Sequence, residues 1–136
     1  LFRGSPGGSG FATIAPCEGS QVQGLLWEIT PRCERALDFY ESYPRFYDKQ
    51  TVPVRDSQGK EYQVMVYVMT GELSRNPAAP SPYYYAGIVD GLCQNGMPVE
   101  PLEQAHRSLM DELRFHFSRN AQQHTPPGKK HPRQER

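Results

Sequence analysis

Residues 30–49 read TPRCERALDFYESYPRFYDK, and this stretch predicts a short helix followed by a strand. Thr30 suits the N-cap of the helix and Pro31 its first position, where a proline leaves no amide unpaired. The apolar residues recur with the helical period and predict a buried stripe: Cys33, Ala36, Leu37 and Tyr40. Pro44 is expected to stop the helix, because the residue before a proline avoids helical angles.

Glu41 stands at the end of this predicted helix, and aromatic residues such as Phe46 follow it. The partial negative charge of a helix C-terminus opposes ionisation of a carboxyl group, and aromatic neighbours remove water from it. Both effects are expected to raise the pKa of Glu41 toward the range in which a carboxylate transfers protons. The alternative is a solvated acid in a turn, which is the usual state of glutamate.

The chain has 136 residues, a length that suits one domain with its own hydrophobic core. Fifteen Lys and Arg residues balance fifteen Asp and Glu residues, so no net charge favours nucleic acid or an anionic membrane. No apolar run is long enough to span a bilayer. We expect one domain over 1–118 and a disordered tail over 119–136, where apolar periodicity is lacking.

The three cysteines are an odd number at wide spacing: Cys17, Cys33 and Cys93. They include no CxxC pair, and no Cys/His grouping has the spacing of zinc ligands, so no metal site is predicted. This usage favours a reducing, cytoplasmic setting. Cys33 and Cys93 fall in apolar helical patterns, so we expect both to be small core residues rather than nucleophiles.

Strand patterns occupy much of the rest of the first 70 residues. A short strand is expected at 11–15, and VQGLLWEI at 22–29 is expected to be a strand buried on both faces. Residues 46–55 and 61–69 are expected to pair as a hairpin, because glycine at the end of the intervening turn is usual hairpin chemistry.

The two ends of the ordered region complete the pattern. Four glycines in residues 1–10 predict a flexible loop; the alternative, a phosphate-binding loop, lacks the lysine that such loops carry. One helix is expected to begin at Ser81–Pro82 and end at Asn95–Gly96, and another to span 101–118. Together these elements predict an α+β fold with a small curved sheet or barrel of at least four strands.

Four segments of the chain occur in an order and spacing that one known family shares. They are GFATIAP at 10–16, VQGLLWEIT at 22–30, LDFYESYPRFYDKQTV at 37–52 and PSPYYYAGIVDGLCQNGMPVEPLEQA at 80–105. These segments resemble paired strands, the region of a catalytic glutamate and a proline-serine-proline-x-tyrosine helix in the gamma-glutamyl cyclotransferase-like (AIG2-like) family. The resemblance implies a small mixed β-barrel with helices packed around it.

The resemblance also implies an enzyme of transferase or lyase type that acts on a small γ-glutamyl substrate. In that family the substrate's α-amine attacks its own γ-carbonyl and releases 5-oxoproline and an amine or amino acid, with no metal or organic cofactor. Glu41 matches the catalytic glutamate, which acts as general base and acid, and Tyr84 matches the tyrosine of the helix motif. Tyr47 and Tyr40 are weaker candidates for substrate binding.

One feature of that family is not present in this sequence, namely a first strand that carries a tyrosine-glycine-serine-asparagine loop. The backbone N–H groups of such a loop are expected to bind the substrate's α-carboxylate. Either the sequence is a fragment or the protein lacks this loop and the first strand of the barrel. Two alternatives of the same fold therefore remain: a non-catalytic protein that binds a small ligand, and an oligomeric scaffold that pairs through an open sheet edge. A monomer or a homodimer is expected.

Overall fold

Two antiparallel ribbons and three helices make up residues 1–123 of the computed structural model, the part of the chain that the structure describes. The strands are β1 (Phe2–Gly4), β2 (Gly10–Ala12), β3 (Tyr47–Arg55) and β4 (Glu61–Met69). The helices are α1 (Pro31–Tyr40), α2 (Pro82–Gln94) and α3 (Glu100–Gln123), with a 3₁₀ turn at Glu72–Arg75. The α+β class is confirmed, but the strands form two separate two-stranded sheets, β1 with β2 and β3 with β4, and these residues show no closed barrel.

The most deeply buried side chains lie where β1 meets α3. Phe2 and Leu109 are each 1% exposed. The Phe2 ring packs against the His106 ring of α3, with centroids 6.4 Å apart and nearly perpendicular planes. Beside Phe2, the Arg3 guanidinium lies 3.1 Å from the carboxylate of Glu112. Apolar packing and an ion pair therefore hold β1 on α3.

The glycines near the N-terminus do not simply form a flexible loop. Gly10 allows the backbone of β2 to lie close against the backbone of residues 78–79. The Gly10 N–H donates to the Ala79 carbonyl at 2.7 Å, where the β1–β2 ribbon runs beside residues 76–80. A β-carbon on Gly10 would lie 1.9 Å from the carbonyl oxygen of Ala78, so only glycine fits there. The prediction of a flexible loop over 1–10 is therefore wrong for its two strand segments.

The hairpin of β3 and β4 forms in the predicted place. Its register pairs Tyr47 with Met69 at one end and Arg55 with Glu61 at the other. Gly59 closes the turn with φ 84°, a conformation that favours glycine. The hairpin contacts the first ribbon where the Met69 N–H donates to the buried hydroxyl of Thr13 at 2.9 Å, and the open end of the hairpin is thereby fixed.

The prediction of a buried strand at 22–29 is wrong. These residues are in neither helix nor strand, and Val22 and Trp27 are 79% and 76% exposed. Within the described part of the chain, residues 21–29 make no backbone–backbone hydrogen bond. A strand is stable only where a neighbour takes its N–H and C=O groups, so apolar patterning alone does not form one.

The two predicted helices that follow the hairpin, α2 and α3, are confirmed, and α3 is longer than expected. The predicted inner face of α2 is partly buried: Tyr84, Tyr85, Ile88, Val89 and Leu92. Helix α3 continues to Gln123 rather than 118, and the remainder of the predicted tail, 124–136, lies outside the described residues. Within residues 1–123, no helix combines the length and the apolar character that a membrane crossing requires.

Candidate functional site

Helix α1 carries Glu41 at its C-terminal end. The predicted N-cap is confirmed, because the Thr30 hydroxyl accepts the Cys33 N–H at 3.2 Å. Glu41 is the C-cap, and its own N–H donates to the Leu37 carbonyl at 2.8 Å. Ser42 follows with φ 52°, a left-handed conformation that often ends a helix. The sequence thus fixes where the helix stops and where the Glu41 side chain leaves it.

The face of α1 that meets the hairpin is acidic rather than apolar. Its partly buried residues are Glu34 and Asp38, and Glu41, three residues further on at the helix end, is partly buried as well. The predicted burial of an apolar stripe is wrong, since all four of its members are exposed: Cys33, Ala36, Leu37 and Tyr40. The hairpin presents a lysine to this helix, and an ammonium is best satisfied by carboxylates.

Glu41 lies close enough to Tyr47 and Tyr84 for its charge to act on the ionisation of both tyrosines. Partial burial raises the pKa of Glu41 above its ordinary value of 4.5, in the predicted direction. Burial also raises the pKa of Tyr47, and the charges of Tyr84 and Glu41 add to the rise. Burial likewise raises the pKa of Tyr84, with a further contribution from Glu41. The charge of Glu41 therefore reaches both of the tyrosines that were singled out from the sequence.

The hydroxyls of both tyrosines are held by the backbone of one residue of β2, Ala12. Tyr47 donates its hydroxyl to the Ala12 carbonyl at 2.8 Å, and the Ala12 N–H donates to the Tyr84 hydroxyl at 3.0 Å. A carbonyl only accepts and an amide N–H only donates, so the two hydroxyls are left in different states. Tyr84 keeps its own proton for donation, whereas Tyr47 offers lone pairs.

The fourth candidate, Tyr40, lies on the solvent side of this group and is 78% exposed. Its charge adds to the rise in the pKa of Tyr47 and of Tyr84. A shallow cavity of about 310 Å³ opens beside the end of α1, and Glu41 is not among its lining residues: Asp38, Phe39, Ser42, Tyr43, Arg45 and Phe46.

Sequence reasoning missed an ionic cluster that joins α1 to the hairpin. The Lys49 ammonium lies 2.7 Å from Oε1 of Glu34 and 2.7 Å from Oδ1 of Asp38. Tyr67, the partner of Lys49 across the hairpin, donates its hydroxyl to Asp38. The available signals were the four-residue spacing of the two acids and the register of the hairpin.

The ionic cluster shifts the ionisation of its members. Hydrogen bonds from Lys49 and Tyr67 hold the pKa of Asp38 below its ordinary value of 3.8. Hydrogen bonds to Asp38 and Glu34 raise the pKa of Lys49. Burial and the hydrogen bond to Asp38 raise the pKa of Tyr67 to about 12. At neutral pH, the lysine and Asp38 are therefore fully charged and the tyrosine is neutral.

The cysteines are not core residues. Cys17, Cys33 and Cys93 are all free and exposed, so the predicted burial of Cys33 and Cys93 is wrong. Cys33 and Cys93 lie one helical step from the partly buried Glu34 and Leu92, on faces that turn to solvent. Among residues 1–123, no three His, Cys, Asp or Glu side chains are grouped so that they could hold a metal ion.

Residues 3–86 match the family model described as "Gamma-glutamyl cyclotransferase, AIG2-like". This match covers more than half of the chain and includes Glu41, Tyr47 and Tyr84. The chain belongs to the gamma-glutamyl cyclotransferase, AIG2-like family. The family match also includes the whole β3–β4 hairpin and the Lys49 cluster, and it ends within α2.

Relatives of the chain bear a name that fits this family. Gamma-glutamylcyclotransferase from Homo sapiens is 34% identical over 96 residues, which make up 70% of this chain and 50% of that protein. The protein of the same name from Bos taurus is 34% identical over 92 residues, 67% of this chain and 47% of its own length. The Mus musculus protein is 33% identical over 96 residues, with 70% and 50% covered. The chain therefore spans about half the length of these relatives. No solved structure is significantly similar to the chain.

Proposed function

We propose that the protein is a gamma-glutamyl cyclotransferase-type enzyme in which Glu41 is the general base and acid. It releases 5-oxoproline from a γ-glutamyl amine or amino acid by internal attack. The observation that carries the proposal is a partly buried carboxyl of raised pKa whose charge acts on two anchored tyrosines within the family match. The names of the relatives support the same reaction.

The reaction needs a proton to be moved twice. The substrate's α-amine loses a proton as its nitrogen bonds to the γ-carbonyl carbon and closes a five-membered ring. The leaving nitrogen gains a proton as its bond to that carbon breaks, so no water is consumed. One carboxylate can do both, and a raised pKa brings its two protonation states closer in free energy. Because nucleophile and carbonyl share one molecule, holding the folded conformer supplies much of the acceleration.

The tyrosines have complementary parts in this proposal. Tyr84, whose proton is free, donates a hydrogen bond to the γ-carbonyl oxygen as negative charge develops on it. Tyr47, which donates to Ala12, accepts a hydrogen bond from the substrate's α-amine. Tyr40 contacts the substrate from the solvent side. Partly buried donors and acceptors that are already fixed, as the hydroxyls of Tyr47 and Tyr84 are, need little rearrangement during the reaction.

The first test is the release of 5-oxoproline by the full chain and by Glu41→Gln, with γ-glutamyl amino acids and γ-glutamyl amines as substrates. The amide keeps the shape of the side chain but neither accepts nor returns the proton, so we expect kcat to fall by about 10²- to 10⁴-fold. Glu72→Gln is the control, because Glu72 is an exposed acid in the same family match. Its kcat is expected to equal that of the wild type.

Equal turnover by the wild type and Glu41→Gln would end the assignment of the base. In the wild type, activity is expected to fall with decreasing pH through a pKa above 4.5, because the base must be ionised. Calorimetry with the same substrates distinguishes the proposed enzyme from the main alternative, a non-catalytic binding protein of the same fold. Binding without turnover would favour a protein that holds a γ-glutamyl ligand but does not cyclise it.

A further inference from the structure

We infer that Lys49 is a positioning residue that fixes the end of α1, and with it Glu41, against strand β3. The inference rests on the proposed function, since it gives Lys49 a part in placing the proposed base. Lys49 itself bonds to acidic side chains of α1 and is not assigned a contact with substrate or with the reacting atoms.

Lys49 contacts the chain on both sides of Glu41. On the helix side, its ammonium lies 2.7 Å and 3.0 Å from the two carboxylate oxygens of Asp38. On the loop side, the ammonium lies 4.5 Å from the centre of the Tyr43 ring, within the range of a cation–π contact. The Tyr43 N–H also donates to the Asp38 carbonyl at 2.8 Å. A short turn whose two ends bind one ammonium has little freedom to move.

Strand β3 connects this attachment to the tyrosines of the site. Lys49 and Tyr47 are two residues apart, so they share one face of the strand, and both are partly buried. Tyr47 is in turn fixed to Ala12. The ammonium therefore attaches the helix end that carries Glu41 to the strand that carries Tyr47. This attachment fixes the distance between Glu41 and Tyr47.

Apolar packing does not hold this helix end in place. On α1, Leu37 is 36% exposed and Phe39 is 90% exposed, and no residue of the helix is buried. The Lys49 and Asp38 side chains are 21% and 26% exposed, so water screens this pair less than a pair on the open surface. Among the described residues, the strongest contacts between α1 and the hairpin are therefore ionic.

The test compares Lys49→Met, Lys49→Arg and a matched control, Arg55→Met. Arg55 lies on the same strand and pairs with Glu61 at 3.5 Å, but both side chains are mostly exposed and far along the hairpin from α1. Small displacements of a catalytic group cost large factors in rate, so we expect kcat to fall about ten-fold or more in Lys49→Met with little change in KM. Lys49→Arg keeps the charge and should recover most of the loss, and Arg55→Met should match the wild type.

The pKa of Glu41, measured by NMR titration of carbon-13-labelled glutamate, gives a readout that does not need activity. Loss of a nearby positive charge would raise this pKa, whereas a loosened helix end would admit water and lower it toward 4.5. We expect the pKa to fall in Lys49→Met and to be unchanged in Arg55→Met. A rise or no change in Lys49→Met would overturn the inference, as would a kcat equal to that of the control.

These readouts keep the inference and the proposed function apart. If the wild type releases no 5-oxoproline, the proposed function fails, and the Glu41 titration still decides whether Lys49 positions that side chain. If Glu41→Gln loses activity and Lys49→Met does not, only the inference fails. Should Lys49→Met not fold, as judged by circular dichroism, Tyr67→Phe removes just the hydroxyl that binds Asp38. It is expected to shift kcat and the Glu41 pKa in the same direction by a smaller amount.

Discussion

The β1–β2 ribbon and helix α1 both contact the β3–β4 hairpin, but different forces hold these two elements in the fold. The ribbon is packed, with Phe2 at 1% exposure, and its backbone pairs with residues 76–80. Helix α1 has no buried residue and is attached through Lys49 and Tyr67. Glu41 lies at the junction of these two regions, beside tyrosines that the ribbon anchors.

The difference separates stability from geometry. Burial of apolar area is non-directional and provides most of the free energy of folding, so the ribbon and α3 decide whether the chain folds. Charged hydrogen bonds are directional and contribute less net free energy, but they fix orientation. A helix held in this way can place a carboxylate accurately and remain sensitive to pH.

The largest effect should come from the packed region. Leu109→Ala removes a side chain that is 1% exposed and leaves a cavity between α3 and β1. We expect the free energy of unfolding to drop by about 2–5 kcal/mol, measured by urea denaturation.

The matched control is Leu26→Ala, in the exposed segment where a strand had been predicted. Leu26 is 55% exposed, so the same truncation there should change stability by less than about 0.5 kcal/mol. Equal losses at the two leucines would mean that residues 22–29 are packed in solution and that the contrast between the two regions does not hold.

An intermediate effect is expected from pH acting on α1. The pKa of Asp38 lies below its ordinary value of 3.8 in the folded state, so its ionised form stabilises the fold at neutral pH. This contribution is lost as the pH falls through the lowered pKa. Asp38→Asn lacks it at every pH, so the difference in urea midpoint between wild type and variant should be largest near pH 7 and shrink below about pH 4.

The control for this measurement is Asp90→Asn, an exposed acid on α2. Its midpoint should follow that of the wild type across the same range of pH. A difference between wild type and Asp38→Asn that does not change with pH would show that charge is not what attaches α1.

The smallest effect concerns the residue after Glu41. Ser42 has φ 52°, a conformation that costs a side-chain-bearing residue about 1 kcal/mol relative to glycine. Ser42→Gly should therefore raise the thermal midpoint by a few degrees. Ser42→Ala, which keeps the β-carbon, should leave it nearly unchanged. If the glycine variant is the less stable of the two, the helix end is not strained in the way described.

Local signals in the sequence predicted the elements well. The caps at Thr30 and Ser81 are formed as expected, and the hairpin turn closes at Gly59. Each of these features depends on interactions between residues a few positions apart, so a short segment of sequence is enough to predict it. The direction of the Glu41 pKa shift followed from the same local reasoning.

What the sequence did not reveal depends on partners distant in the chain. The inward face of α1 was predicted wrongly. The periodicity of Leu37 and Tyr40 indicates an apolar face, but it contains no information that Lys49 of β3 packs against the helix. The segment 22–29 has the composition of a strand, but composition does not supply a second strand to pair with it. Glu41 was singled out from its place at a helix end and from the family resemblance, and Tyr84 from the resemblance alone. The hydrogen bonds that Ala12 makes to the two tyrosines were not predicted. They use backbone groups that nearly every residue has, so the residue type at position 12 gives no signal.

Because Ala12 holds the hydroxyls of Tyr84 and Tyr47 through its backbone, their placement depends on the register of β2 and not on the side chain at position 12. Any residue except proline at position 12 offers the same N–H and C=O to Tyr84 and Tyr47. A one-residue insertion or deletion in the turn at 5–9 would instead shift both hydroxyls together, even with both tyrosines intact. The spacing between the two N-terminal strands thus determines where Tyr47 and Tyr84 are held, 35 and 72 residues further along the chain.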